Sequence, residues 1–144
     1  MTKPNLIYIL ADDMGYGDIS ALNENCGFRT PNLDEMAENG ICFTDAHATA
    51  AVCTPSRYGI LTGRYNWRSR LKSSVMGGYS EPLIERGRKT LADMLKDNGY
   101  RTAMVGKWHL GMSFAKEEGF VEKPDFDASD HVDYAGKIED SPVS

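Results

Sequence analysis

Residues 5–10, Asn5-Leu6-Ile7-Tyr8-Ile9-Leu10, form a short apolar run that stops at Asp12-Asp13. A run of this length without polar alternation is the pattern of a strand buried on both faces. Residues 41–46 and 100–105 repeat the theme at strand length. Between the runs the period lengthens to that of a helix. Residues 30–40 carry a Thr30 N-cap, Pro31 at the first helical position, an apolar stripe of Leu33, Met36 and Ala37, and Gly40 as a stop. Residues 53–63 read as a short helix entered at Thr54-Pro55 and closed by Gly63, and residues 90–99 as another, with Leu91, Met94 and Leu95 on one face. Alternating strands and helices predict an α/β architecture with a mostly parallel sheet flanked by helices. Residues 64–89 are basic, contain Gly77-Gly78 and Pro82, and read as an irregular excursion. From Ser113 onward acidic residues accumulate and apolar periodicity is lost, so 113–144 is expected to be a polar loop or linker and 1–112 the structured part.

The chain has 144 residues, one domain's worth. Hydrophobic residues make up 41% and charged residues 26%, a globular rather than a disordered composition. Sixteen Lys and Arg against twenty-one Asp and Glu give a net charge of −5, which argues against non-specific binding of nucleic acid or anionic membranes. No run approaches the ~18 apolar residues of a membrane span. The start passes too quickly into Asp12-Asp13 to hold a secretory signal, so the expected compartment is the cytoplasm, or the periplasm or exterior if a signal has been removed. Cys26, Cys42 and Cys53 are an odd set and too few for a disulfide scaffold.

Three separated segments place charged or nucleophilic groups directly after an apolar run, where a parallel α/β sheet gathers its ligand sites. The first is Asp12-Asp13. Adjacent carboxylates repel one another, and a hard divalent cation such as Ca²⁺ or Mg²⁺ would relieve that; on the pair alone, a solvated acidic turn is the stronger competitor. The second is Cys53, at an expected helix N-terminus that favours a thiolate or a bound anion, with Arg57 one turn on. A buried structural cysteine is its ordinary alternative. The third is Lys107 with His109, which would project from one face of an extended segment and supply a fixed cation and an acid–base group. Taken singly, a surface lysine and a hydrogen-bonded structural histidine are the better explanations. Together they suit transfer of a tetrahedral sulfuryl or phosphoryl group.

The stretch from Cys53 to Arg64, Cys53-Thr54-Pro55-Ser56-Arg57-Tyr58-Gly59-Ile60-Leu61-Thr62-Gly63-Arg64, resembles the sulfatase signature C-x-P-S-R-x-x-x-L-T-G-R. Gly106-Lys107-Trp108-His109-Leu110-Gly111 resembles the second signature of that family. Pro4-Asn5 through Asp18 and Thr30-Pro31-Asn32-Leu33-Asp34 resemble its opening strand, metal loop and first helix, so the likeness runs in register from residue 4 to about 111. The resemblance implies the N-terminal portion of an arylsulfatase-like, formylglycine-dependent enzyme with an alkaline-phosphatase-like α/β fold. It implies that Cys53 is converted to formylglycine by a maturation enzyme. One hydroxyl of the aldehyde hydrate would attack the sulfur of a small-molecule or carbohydrate sulfate ester, and the other would then expel sulfate. By the same matching, Asp12 and Asp13 would bind a divalent cation, usually Ca²⁺, together with an oxygen of modified residue 53. Arg57 would steady that residue, Lys107 would contact it and the sulfate, and His109 would hydrogen-bond the diol. Thr54, Pro55 and Ser56 would serve maturation and turn geometry.

The family's later acid–amide metal ligands and its later His and Lys have no counterpart in this sequence. Asp127, Asp130, His131 and Asp133 match no family motif. The chain alone is therefore expected to be weakly active or inactive. The competing expectations are a phosphatase or phosphonate monoester hydrolase of the same superfamily, and an inactive anion- or metal-binding fragment.

Overall fold

The computed structural model describes residues 3–115. The chain divides into two compact units, one ending at His47 and the other beginning at Ala48.

The first unit holds α1, Pro31–Asn39. Its entry is fixed by a polar knot rather than by burial. Ser20 Oγ donates to Asp34 Oδ2 at 2.6 Å, Thr30 Oγ1 donates to Asp34 Oδ1 at 2.8 Å, and the Ala21 amide donates to Asp34 Oδ1 at 2.9 Å. The Ser20 amide donates to Thr30 Oγ1 at 2.9 Å. Thr30 is the N-cap as expected, but its hydroxyl is occupied by Ser20 and Asp34 and does not cap a helix amide. The Ser20 hydroxyl, followed by those of Thr30 and the Ala21 amide, holds the Asp34 carboxyl below its ordinary value. No described residue of this unit is buried, and the Leu33–Met36 stripe of α1 stays open to solvent.

The second unit has a core. Tyr58 of α2 (Cys53–Thr62) packs with Leu71, Met76, Leu83, Ile84 and Leu110, with Leu61 and Trp108 against them. Four of those six buried side chains come from residues 64–89. That segment is irregular apart from a 3₁₀ turn, Asn66–Arg68, yet it supplies most of the core. Gly63 closes α2 at φ 63°, its amide donating to Gly59 O, as the sequence predicts. α3, Leu91–Asp97, opens with a capping box: the Asp93 amide donates to Thr90 Oγ1 and the Thr90 amide to Asp93 Oδ2.

The helix expectations hold, but the strand expectations do not. Residues 5–10, 41–46 and 100–105 carry no strand, and no β-ladder forms among the described residues, so the mostly parallel sheet is not present there. A helix closes its hydrogen bonds within itself, whereas a parallel strand needs neighbours along both edges and cover on both faces. These runs have neither: Ile7 is 86%, Ile41 83% and Val105 99% exposed. No described helix is long and apolar enough to cross a membrane. The expected linker, 113–144, lies almost wholly outside the described residues.

Two features place residues 107–112. The Leu83 amide donates to Leu110 O at 2.8 Å and the Met112 amide to Ser80 O at 3.0 Å, pinning 110–112 against 80–83. Gly111 makes that approach possible: φ is 74°, and an added Cβ would lie 2.2 Å from Glu81 O. At the far end of α2, Glu85 gathers three donors. Tyr58 Oη donates to Oε2 at 3.1 Å, Arg64 Nη1 to Oε1 at 3.0 Å, and Arg88 Nε to Oε2 at 2.6 Å. Burial alone would raise the Glu85 carboxyl, but its own backbone amide, Arg88 and Tyr58 outweigh it, leaving it below 4.5. Burial, then the bond to Glu85, pushes the Tyr58 phenol above 10.0.

Gly63→Ala strains only the backbone and should cost about 1 kcal/mol, whereas Gly111→Ala also displaces a backbone carbonyl and should cost roughly 3 kcal/mol. Denaturant midpoints compare them, and equal losses would contradict the close approach at Gly111. Asp34 and Glu85 are both lowered, so the stability they contribute is full above 3.8 and 4.5 and is lost as pH falls through the lower folded values. The thermal midpoint should therefore fall on acidification below about pH 5, and Glu85→Gln should flatten that limb. A limb unchanged in the variant would contradict Glu85's share.

Candidate active site

Cys53 is the first residue of α2 and Val52, in extended conformation, its N-cap. The thiol is free and partly exposed. The entry is held by Ser56, whose Oγ donates to Ala50 O at 2.7 Å. Pro55 has no amide to satisfy, which suits the first turn. The residue expected to carry chemistry therefore sits where the helix's free amides and dipole favour negative charge.

The first turn of α2 is tied to the segment fifty residues on. Thr54, fully buried, donates from Oγ1 to His109 O at 3.0 Å. Arg57 Nη1 donates to Lys107 O at 2.6 Å. The structure thus brings the segments of Cys53–Arg57 and Lys107–His109 together, as the sequence pattern expects. It does so differently from the extended alternation expected for Lys107 and His109. His109 has φ 55°, so the chain turns there, and the ring is placed by its own bond, Nε2 to Met76 O at 2.8 Å. Trp108 Nε1 donates to Gly111 O at 2.7 Å and closes the turn.

A pocket of about 270 Å³ opens beside this junction, lined by Gly77, Gly78, Lys107, Trp108, His109 and Met112 among others. A basic side chain, an imidazole and glycine backbone around a volume of that size suit a small anion. Gly77 and Gly78 show in the sequence only as loop formers. Their part in the site follows from Met76, whose amide donates to Thr54 Oγ1 at 3.3 Å while its carbonyl takes His109. No periodicity announces a backbone carbonyl as a ring partner. Glu85, which ties α2 to Arg64 of the first signature, was equally hidden among basic neighbours.

Asp12 and Asp13 belong to the first unit, and both are exposed. Asp13 adopts φ 56°, a left-handed conformation that a short polar side chain tolerates. The loop folds on itself through Asp18, whose Oδ2 accepts from the Gly15 amide at 2.7 Å. Two adjacent carboxylates suit a hard, oxygen-seeking cation in kind. In number they are only part of a shell, since no group of three or more His, Cys, Asp or Glu able to hold a metal occurs among the described residues. Asp127, Asp130, His131 and Asp133 lie outside them.

The sulfatase family model matches residues 4–140, reaching into the segment set apart by its acidic composition. Among curated proteins the chain is 50% identical over 110 residues to an N-acetylgalactosamine-6-O-sulfatase of Bacteroides thetaiotaomicron, covering 76% of this chain and 21% of that protein. It is 41% identical over 128 residues to human steryl-sulfatase (85% and 22%) and 48% identical over 113 residues to rat arylsulfatase G (76% and 20%). A solved Bacteroides thetaiotaomicron structure, described in connection with metabolism of multiple glycosaminoglycans, matches with TM-score 0.70 at 48% identity, covering 81% of this chain and 23% of that one. The likeness extends to an α/β fold of the alkaline-phosphatase type. The chain spans about a fifth of the length of the curated relatives it matches. With the two signatures tied together by the bonds from Thr54 and Arg57 and the family model matching residues 4–140, the chain belongs to the sulfatase family.

Proposed function

We propose that this chain is the N-terminal part of a sulfatase catalytic domain, spanning residues 1–112, and that it contributes the nucleophile side of a site hydrolysing sulfate esters. The observation that carries the proposal is the pair of bonds from Thr54 to His109 O and from Arg57 to Lys107 O, which ties the two signature segments together. Cys53, matured to formylglycine by a generating enzyme, supplies a nucleophilic oxygen for attack on sulfur. Its place at the start of α2 puts helix amides near the charge that develops. Arg57 steadies residue 53 and holds the Lys107 backbone. Lys107 binds the sulfate oxygens, and His109 hydrogen-bonds residue 53 and moves its proton. Asp12 and Asp13 would hold part of a Ca²⁺ or Mg²⁺ shell, and a bound cation there would offset anionic charge. The Bacteroides thetaiotaomicron relatives, one named an N-acetylgalactosamine-6-O-sulfatase and one described with glycosaminoglycan metabolism, favour a sulfated carbohydrate as the substrate class.

The test grafts the chain in place of the corresponding segment of the Bacteroides thetaiotaomicron sulfatase, matured at residue 53, and assays 4-nitrophenyl sulfate against 4-nitrophenyl phosphate. The graft should favour the sulfate. Arg57→Ala should lower kcat/KM by about 100-fold and Cys53→Ala should abolish turnover. The 144-residue chain alone should be weakly active or inactive. A folded graft that prefers phosphate would favour a phosphatase instead, and a folded, inactive graft a binding fragment.

A further inference from the structure

Thr54 is fully buried between the candidate nucleophile and the first helical proline, and its hydroxyl is used twice. It donates to His109 O at 3.0 Å and accepts from the Met76 amide at 3.3 Å. The third side of this triangle is His109 Nε2 to Met76 O at 2.8 Å. A carbonyl oxygen can only accept, so Nε2 carries the proton, and in the neutral ring Nδ1 holds a lone pair. Nδ1 is buried and has no hydrogen-bond partner among the described residues. The backbone of His109 sits at φ 55°, a conformation that an L-residue keeps only when its surroundings hold it there. Buried polar groups otherwise find partners, so an unpartnered ring acceptor on a residue with a strained backbone marks a group held in place by its surroundings.

We propose that Thr54 is a positioning residue for His109: its hydroxyl closes a ring through Met76 that holds the His109 backbone left-handed and leaves Nδ1 as the ring's open acceptor. This rests on the proposed role of His109 beside residue 53 and adds to the signature's second position a task inside the folded site.

Two substitutions separate positioning from packing. Thr54→Val keeps the shape and removes the hydroxyl; Thr54→Ser keeps the hydroxyl and removes the methyl group. The readout is the imidazole ¹H–¹⁵N spectrum of the 144-residue chain, with His109→Gln assigning the His109 signals. A ring N–H held by a buried carbonyl exchanges slowly enough to be seen, whereas His47, largely exposed beside Asp45, has no such shelter. The native chain and Thr54→Ser should show the His109 Nε2–H signal with Nδ1 unprotonated. Thr54→Val should lose it while the α2 backbone amides persist. Retention in Thr54→Val, loss in a folded Thr54→Ser, or absence from the native chain would each overturn the proposal. If Thr54→Val loses its α2 amides, Thr54→Ser decides: a retained signal supports positioning, and loss overturns it. The spectrum needs no substrate, so failure to hydrolyse sulfate esters would count against the proposed function and leave this result standing.

Discussion

The second unit depends on how the first turn of α2 is fastened to the backbone of residues 107–109. Thr54 and Arg57 reach across 55 and 50 residues of chain, respectively, to two carbonyls. Neither bond would survive if those carbonyls moved, and two other constraints keep them still. Gly111 lets 110–112 lie against 80–83, and the Tyr58 side chain buries α2 on the same core that contains Leu110. Packing therefore sets the register, and the polar bonds fix the last ångström of the site. Buried hydrogen bonds suit that task because they are modest in net stability but exacting in geometry.

The first unit is built on a different balance. Its ordered part depends on one carboxylate, Asp34, collecting two hydroxyls and an amide, while its apolar side chains face solvent. Such a knot orders a helix entry but buries almost no hydrophobic surface. The apolar runs at 5–10, 41–46 and 100–105 are the part of the sequence whose burial is unmet among the described residues. The chain spans about a fifth of the length of the relatives it matches, and a parallel sheet's cover is contributed by many segments.

What could be read from the sequence follows from the range of each interaction. Thr30-Pro31, Gly63 and the Thr90–Asp93 pair act within four residues, and all three helices appear where those signals place them. The strand runs were legible as apolar segments but not as a sheet, because pairing is decided by chain elsewhere. Residues 64–89 looked irregular and are, yet Leu71, Met76, Leu83 and Ile84 make them the body of the core. Burial there has no period to betray it. Cys53, Arg57, Lys107 and His109 are legible as candidates because their segments follow apolar runs and match family signatures. Met76 and Glu85 were not found, one acting through its backbone and the other drawn in by folding beside Arg64 and Arg88.

The central claim is that residue 53 is the reacting centre, held at the start of α2 for that purpose. Mass spectrometry of the peptide containing residue 53, from protein made in its native host, tests it most directly. Conversion of the thiol to an aldehyde removes about 18 Da, the change required for covalent use of this position. A peptide lighter by that amount is the predicted result; an unmodified Cys53 thiol would contradict it.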